Sequence, residues 1–116
     1  ATLEIVKKCM HRVVYGERGT GTKVRIEGIE TAGKSGTAQI SSRNDDAWFV
    51  AFAPYENPAV AVAVVVEGGG GGGAVAGPIA RQVMEVFFKV RASAAEPRPA
   101  ETTRILEEEP ERETGA

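Results

Sequence analysis

The chain has 116 residues, 42% of them hydrophobic and 26% charged, and a formal net charge of −2. That length holds one small domain with a core to bury, and so balanced a charge gives no footprint for nucleic acid or an anionic membrane surface. A single cysteine, Cys9, excludes an internal disulfide and any multi-cysteine metal site.

Leu3, Val6, Met10 and Val13 recur at three- and four-residue spacing, with Cys9 and Val14 beside them, which predicts an opening helix. Thr2 is placed to cap it and Gly16 to end it. Cys9 is expected there as a small buried apolar residue. His11, the sole histidine, has no partner at a spacing that makes it a catalyst. Residues 16–22, GERGTGT, form a Gly-rich loop, after which Val24, Ile26 and Ile29 alternate with Lys23, Arg25 and Glu27 as in extended chain.

Residues 29–40 lack a helical stripe and are rich in small and β-branched types. They predict a strand whose glycines admit a close neighbour. SSRNDD at 41–46 is a turn or loop, and AWFVAFAP at 47–54 is an aromatic-rich strand closed by Pro54. Alternation places Trp48, Val50 and Phe52 on one face, against Phe49 and Ala51 on the other; core packing is their expected role. YENP at 55–58 is a hairpin connection. AVAVAVVVE at 59–67 is so uniformly apolar that it is expected at the centre of the sheet.

Six consecutive glycines, 68–73, predict a flexible loop. Ile79, Val83, Val86, Phe87 and Val90 form the stripe of a final helix, with Pro78 in its first turn. Residues 91–116 carry seven Glu against four Arg, a net −3 that leaves residues 1–90 at +1. Pro and Glu dominate there, so a disordered acidic tail is expected. Helix, three strands with short links, then helix favours antiparallel pairing. The expected class is α+β: an antiparallel sheet covered by helices over residues 1–90, with the tail at 91–116. The first helix and the last strand are expected to need more protein around them than about 90 residues supply. The sequence does not begin with Met, and its longest apolar run, residues 59–66, is too short to cross a membrane.

The stretch EGIETAGKSGTAQI, residues 27–40, fits two motifs. Gly28, Gly33, Lys34 and Ser35 fit G-x-x-x-x-G-K-[ST], a loop that cradles nucleotide phosphates. Lys34, Ser35, Gly36 and Thr37 fit K-[ST]-G, the third motif of serine enzymes that react with penicillin. The phosphate loop requires a helix starting at the Lys-Ser, whose N-terminal N–H groups meet the phosphates. Gly36, Thr37, two serines, Asn44 and two aspartates follow instead, and nothing there would hold a helix against a sheet.

The second reading strengthens as the stretch lengthens. AGKSGTAQ, then DDAWFVAFAPYENP, AVAVVVEGGGGGG and GPIARQVMEVFF resembles the C-terminal part of class B penicillin-binding proteins, bacterial D,D-transpeptidases that cross-link peptidoglycan. The resemblance covers nearly all of residues 1–90, including the GTGT loop, and the glycine run with PIARQV looks most like the elongation-type members. Ala51 stands where relatives often carry glycine.

Such enzymes use S-x-x-K for the nucleophile, then S-x-N, then K-[ST]-G on an edge strand, with no metal or cofactor. Only the third motif is carried over. Lys34 is expected to assist proton transfer and attract the substrate carboxylate. Ser35 and Thr37 have hydroxyls suited to that carboxylate, Gly36 leaves room for substrate, and the Thr37 backbone N–H is one oxyanion donor. Substrate is expected along residues 33–38, including Ala38, as an added strand. No S-x-x-K occurs in the 116 residues, so the chain alone is expected to be inactive. Ser42-Arg43-Asn44 fits S-x-N but follows the K-S-G, and is read as coincidence.

The resemblance implies the peptidoglycan stem peptide ending in D-Ala-D-Ala, β-lactams, the remainder of the domain and cell-wall synthesis partners as binding partners. Nucleic acid and membrane contact by this segment are not expected. The implied location is the periplasmic side of the bacterial inner membrane. The rival is a non-enzymatic module that binds a peptide or another chain at its sheet edge.

Overall fold

A computed structural model describes residues 1–95. In chain order it contains helix α1 (Thr2–Tyr15), a 3-10 turn (Thr22–Val24), strands β1 (Ala32–Ala38), β2 (Asp46–Ala53) and β3 (Val60–Val66), a π-type turn (Gly72–Ala76) and helix α2 (Gly77–Ala95). The strands form one sheet in the order β1-β2-β3, and both pairings are antiparallel. This is the expected α+β arrangement.

The centre of the sheet is β2, not the uniformly apolar β3. Side-chain pattern reports which faces are apolar, whereas position in a sheet is decided by backbone pairing at the edges. Val60, Val62, Val64 and Val66 are partly buried, while Ala61, Ala63 and Val65 lie on the opposite, exposed face. β3 is therefore apolar on both faces yet bordered on one side only among the described residues. The register sets Phe49 opposite Val64 and Ala51 opposite Val62, and Trp48 opposite Val65. The alternation expected for β2 holds, with Phe49 and Ala51 buried, but the core packing expected of Trp48 does not: Trp48 and Val50, on the uncovered face, are 43% and 40% exposed.

The core lies on the Phe49 face. Val14 of α1, Val24, Ala76, and Ala80 and Met84 of α2 close over Ala47, Phe49, Ala51 and Ala53. The stripe expected to bury α2 is not the one that does. Ala80 and Met84 face the sheet with Phe88 packed beside them, while Ile79, Val83, Val86 and Val90 are exposed. Both stripes are apolar, and the small Ala80 admits a closer approach to the sheet than a branched side chain would. A helix apolar on several sides is built to be covered on several sides. α2 also runs on to Ala95, because Ala92, Ala94 and Ala95 are strong helix formers; the tail expected at 91–116 is therefore helical over 91–95. The rest of it, residues 96–116, lies outside the described residues.

At α1, Ala1 occupies the capping position and makes no side-chain cap bond, and Thr2 is the first helical residue. Cys9 is exposed rather than buried: the inward side of α1 is carried by Val14, while Leu3, Ile5 and Val6 are also uncovered. The chain after α1 folds back on the helix. The N–H groups of Gly16 and Gly21 donate to the carbonyls of Arg12 and Val13, and Arg25 Nε donates to the Val14 carbonyl at 3.0 Å. Three carbonyls that the helix leaves unpaired are thereby satisfied. The expected extended chain at 23–29 is replaced by the 3-10 turn and a lone bridge between Ile26 and Ile29.

The glycine run is not a slack linker. Gly70 N–H donates to the Asp45 carbonyl at 2.9 Å. A Cβ on Gly72 would stand 2.3 Å from both the Gly36 and Trp48 carbonyl oxygens, and one on Gly73 would stand 2.1 Å from the Thr20 carbonyl oxygen. Only glycine allows this segment to lie directly on the sheet backbone. The run is held from the other end by Asp46, which accepts hydrogen bonds from both terminal nitrogens of Arg43 and, at 2.9 Å, from the Gly68 N–H. These donors, Arg43 first and Gly68 second, hold the Asp46 carboxyl below its ordinary value of 3.8 against the opposing effect of burial.

Two outcomes are expected. Gly72→Ala loses about 1–3 kcal/mol of stability through overpacking, read as a lowered thermal midpoint. Gly71→Ala, whose Cβ would meet nothing nearer than 3.9 Å, stays near the parent value. Because the Asp46 pKa is lowered on folding, its stabilising contribution is complete above the unfolded-state pKa and disappears as pH falls through the folded one. The melting difference between wild type and Asp46→Asn is thus expected to shrink as pH drops from about 5 to about 2, and a constant difference would refute the assignment.

Candidate functional site

Lys34, Ser35, Gly36, Thr37 and Ala38 are consecutive residues of β1. β1 pairs with β2 alone, so its other edge carries no strand among the described residues. The register sets Lys34 opposite Val50 and Gly36 opposite Trp48, with Ser35 opposite Phe49 and Thr37 opposite Ala47. Lys34 and Gly36 therefore share the Trp48 face, and the two hydroxyl residues share the Phe49 face. The strand brings an ammonium and two hydroxyls to one open edge, from opposite sides.

The glycines of the strand have different neighbours. A Cβ on Gly33 would come within 2.5 Å of the Phe49 ring and 2.7 Å of the Val50 carbonyl oxygen, so Gly33 is fixed by core packing. A Cβ on Gly36 would meet the Trp48 Cβ at 3.3 Å, and Gly72 presses on its backbone. The N-terminal end of the strand is tied to α1 and to the 3-10 turn: Thr31 N–H donates to the Tyr15 hydroxyl at 3.2 Å, and Thr31 Oγ1 donates to the Val24 carbonyl at 3.3 Å.

Lys34 Nζ donates to the Ser35 carbonyl at 2.6 Å. The Ser35 hydroxyl lies 2.8 Å from the hydroxyl of Thr20, in the loop that follows α1. Thr20 and Lys34 also line a surface cleft of about 410 Å³ with Cys9, Arg12 and Arg18. Arg12, Arg18 and Lys34 have no acidic partner among the described residues, so the mouth of this cleft is positive. Thr20 was invisible to motif reasoning. Its loop was legible as GTGT, but nothing in the spacing says that its hydroxyl meets Ser35. His11 likewise joins a cluster the sequence does not announce, stacked on Tyr15 and tilted against Tyr55, with ring centroids 4.7 Å away in each case.

Ser42 and Asn44 lie in the turn between β1 and β2, and Arg43 between them is engaged by Asp46. The phosphate-loop reading of Gly28 to Ser35 is overturned. Lys34 and Ser35 sit inside a strand, no helix begins there, and the sheet is antiparallel. Among the described residues no three His, Cys, Asp or Glu side chains gather as metal ligands, and no helix is long and apolar enough to cross a membrane.

Comparison with known proteins agrees with the geometry. Residues 1–85 match the family model of the penicillin-binding protein transpeptidase domain. Peptidoglycan D,D-transpeptidase MrdA of Haemophilus influenzae is 36% identical over 112 residues, covering 83% of this chain and 17% of that protein. The structure of Pseudomonas aeruginosa PBP2 in complex with WCK 5153 superposes with a TM-score of 0.66 at 46% identity, over 72% of this chain and 18% of that one. A complex between PBP2 and MreC from Helicobacter pylori gives a TM-score of 0.65 at 31% identity, over 76% and 17%. The chain thus spans less than a fifth of the length of each of these relatives. With residues 1–85 matching its family model and a relative 36% identical over 83% of the chain, this chain belongs to the penicillin-binding protein transpeptidase family.

Proposed function

We propose that the chain is the C-terminal segment of a D,D-transpeptidase domain and supplies the strand on which a peptidoglycan stem peptide is cross-linked by acyl-serine transfer. The observation that carries this reading is the outer edge of β1, which is unpaired among the described residues and bears Lys34, Ser35, Gly36 and Thr37. An extended peptide adds to such an edge through main-chain hydrogen bonds.

The serine nucleophile comes from the remainder of the domain, since no S-x-x-K lies in this sequence. It attacks the carbonyl between the two terminal D-alanines, and the peptide bond breaks to release one alanine. An amine from a neighbouring stem peptide then takes the acyl group and frees the serine. In this scheme the Lys34 ammonium attracts the terminal carboxylate and assists proton transfer, and Ser35 and Thr37 donate to that carboxylate. The Thr37 N–H stabilises the tetrahedral oxyanion, a contact whose loss typically costs about 3–4 kcal/mol of barrier. β-Lactams enter the same site and leave the serine acylated.

The partner that completes the fold is the remainder of the domain. Trp48, Val50 and Val65 expose one apolar sheet face, and Leu3, Ile5, Val83, Val86 and Val90 expose apolar helix surface. A free-standing domain rarely leaves that much uncovered. The Helicobacter neighbour, a complex with MreC, supports a cell-wall assembly partner for the parent enzyme. The substrate places the reaction on the periplasmic side of the inner membrane. The unpaired edge also favours a second reading, a non-enzymatic module that binds a peptide strand reversibly.

The test is labelling of the full domain with a fluorescent penicillin. Wild type is expected to form a covalent, denaturation-resistant adduct. Lys34→Ala is expected to slow its formation by about 10²-fold or more, as for loss of a general acid–base group, and the 116-residue chain alone is expected to take no label. Saturable but wholly reversible binding by the full domain would favour the non-enzymatic module, and unchanged labelling of Lys34→Ala would remove the role given to that lysine.

A further inference from the structure

We propose that Thr20 is a positioning residue for this site: its hydroxyl donates to Ser35 Oγ and so directs the Ser35 proton to an anionic ligand. The inference rests on the transpeptidase reading of β1 and assigns a role to a loop that the motif does not include.

The two hydroxyl oxygens are 2.8 Å apart and either can be the donor. A hydroxyl has one proton and two lone pairs. If Ser35 donated to Thr20, no Ser35 proton would remain for a carboxylate, and Ser35 would present only lone pairs to a negative charge. With Thr20 as donor, the Ser35 proton is free, and the bond it receives polarises it toward a stronger outward bond. A carboxylate bound at Ser35 therefore selects one direction for the pair, with Thr20 behind and the ligand in front.

Thr20 is placed firmly enough for this task. Its carbonyl is pressed by Gly73, where a Cβ would stand at 2.1 Å. The next residue, Gly21, is buried and donates its N–H to the Val13 carbonyl at 2.9 Å. The glycine run and the end of α1 thus fix the loop from two sides. The surroundings favour an anion: Thr20 shares its cleft with Arg12, Arg18 and Lys34, none with an acidic partner among the described residues.

The experiment compares acylation of the full domain by benzylpenicillin, which carries the carboxylate, and by its methyl ester, which does not. Wild type, Thr20→Val and Thr20→Ser are measured. Thr20→Val is expected to slow acylation by the free acid about fivefold, the net size of one hydrogen bond between neutral groups, while acylation by the ester changes less than about twofold. Thr20→Ser is expected to restore the free-acid rate. The acid-to-ester ratio is internal to each variant, so a partial loss of folded protein scales both rates and leaves it unchanged. Equal slowing of both ligands by Thr20→Val, failure of Thr20→Ser to rescue, or an unaltered ratio would overturn the inference while labelled wild type keeps the transpeptidase reading. A wild-type domain that takes no label from the free acid would overturn both.

Discussion

Gly72 lies on the backbone of Gly36 and Trp48 with no room for a methyl group, and Gly73 does the same at Thr20. Main-chain contacts of this kind fix the distance between the segment leading into α2 and the two strands beneath it. Because Thr20 is pinned by Gly73 and hydrogen-bonded to Ser35, the position of the motif's hydroxyl depends on a glycine nearly forty residues away. The glycines at 68 and 70 adopt positive φ of 65° and 82°, which bends the run so that 72 and 73 arrive face down. The Asp46 carboxylate holds the start of the run through Gly68. An acid at the head of β2, a glycine run and a loop after α1 therefore act together on one edge strand.

The two faces of the sheet follow different logic. One is closed by Phe49, Met84 and the small residues that let α2 and the glycine run approach. The other presents Trp48, Val50 and Val65 to the outside. Burying apolar area is the main favourable term in folding, at about 25 cal/mol per Å², so an apolar face left open is a demand for a partner. Lys34 and Gly36 lie on that open side and Ser35 and Thr37 on the closed one. A ligand along the edge of β1 would thus meet the two hydroxyl residues from one side of the sheet and Lys34 from the other, with Ser35 held by Thr20.

Much of this was legible in the residues. The small and β-branched residues and the lack of a helical stripe marked 29–40 as a strand, of which 32–38 forms one, and the missing helix after Lys34-Ser35 argued against a phosphate loop. Alternation alone sorts Trp48 and Val50 from Phe49 and Ala51. What pattern could not supply was anything decided by long-range backbone contact. β3 looked central because both its faces are apolar, but edge pairing leaves no trace in side-chain type. Ile79, Val83, Val86 and Val90 looked like the buried stripe of α2 because they are large. The stripe that is buried begins with Ala80, chosen for closeness rather than area. Cys9 was read as interior from its residue type, whereas its exposure follows from the side of α1 that Val14 and the returning loop occupy.

The glycine run shows most clearly why composition misleads. Six glycines in sequence have a large conformational entropy to lose, which normally signals slack chain. That cost is met here because each ordered position gains something specific: Gly68 an acceptor on Asp46, Gly70 one on Asp45, Gly72 and Gly73 contact with backbone that any side chain would prevent. A Cβ on Gly68, Gly70 or Gly71 would meet nothing closer than 3.9 Å, but Gly68 and Gly70 have positive φ and Gly71, at φ −77°, does not. A run built only for flexibility would tolerate alanine anywhere. One in which intolerance at 72 and 73 sits beside tolerance at 71 is a fitted surface, and what it fits is the underside of the strand that carries Lys34, Ser35 and Thr37.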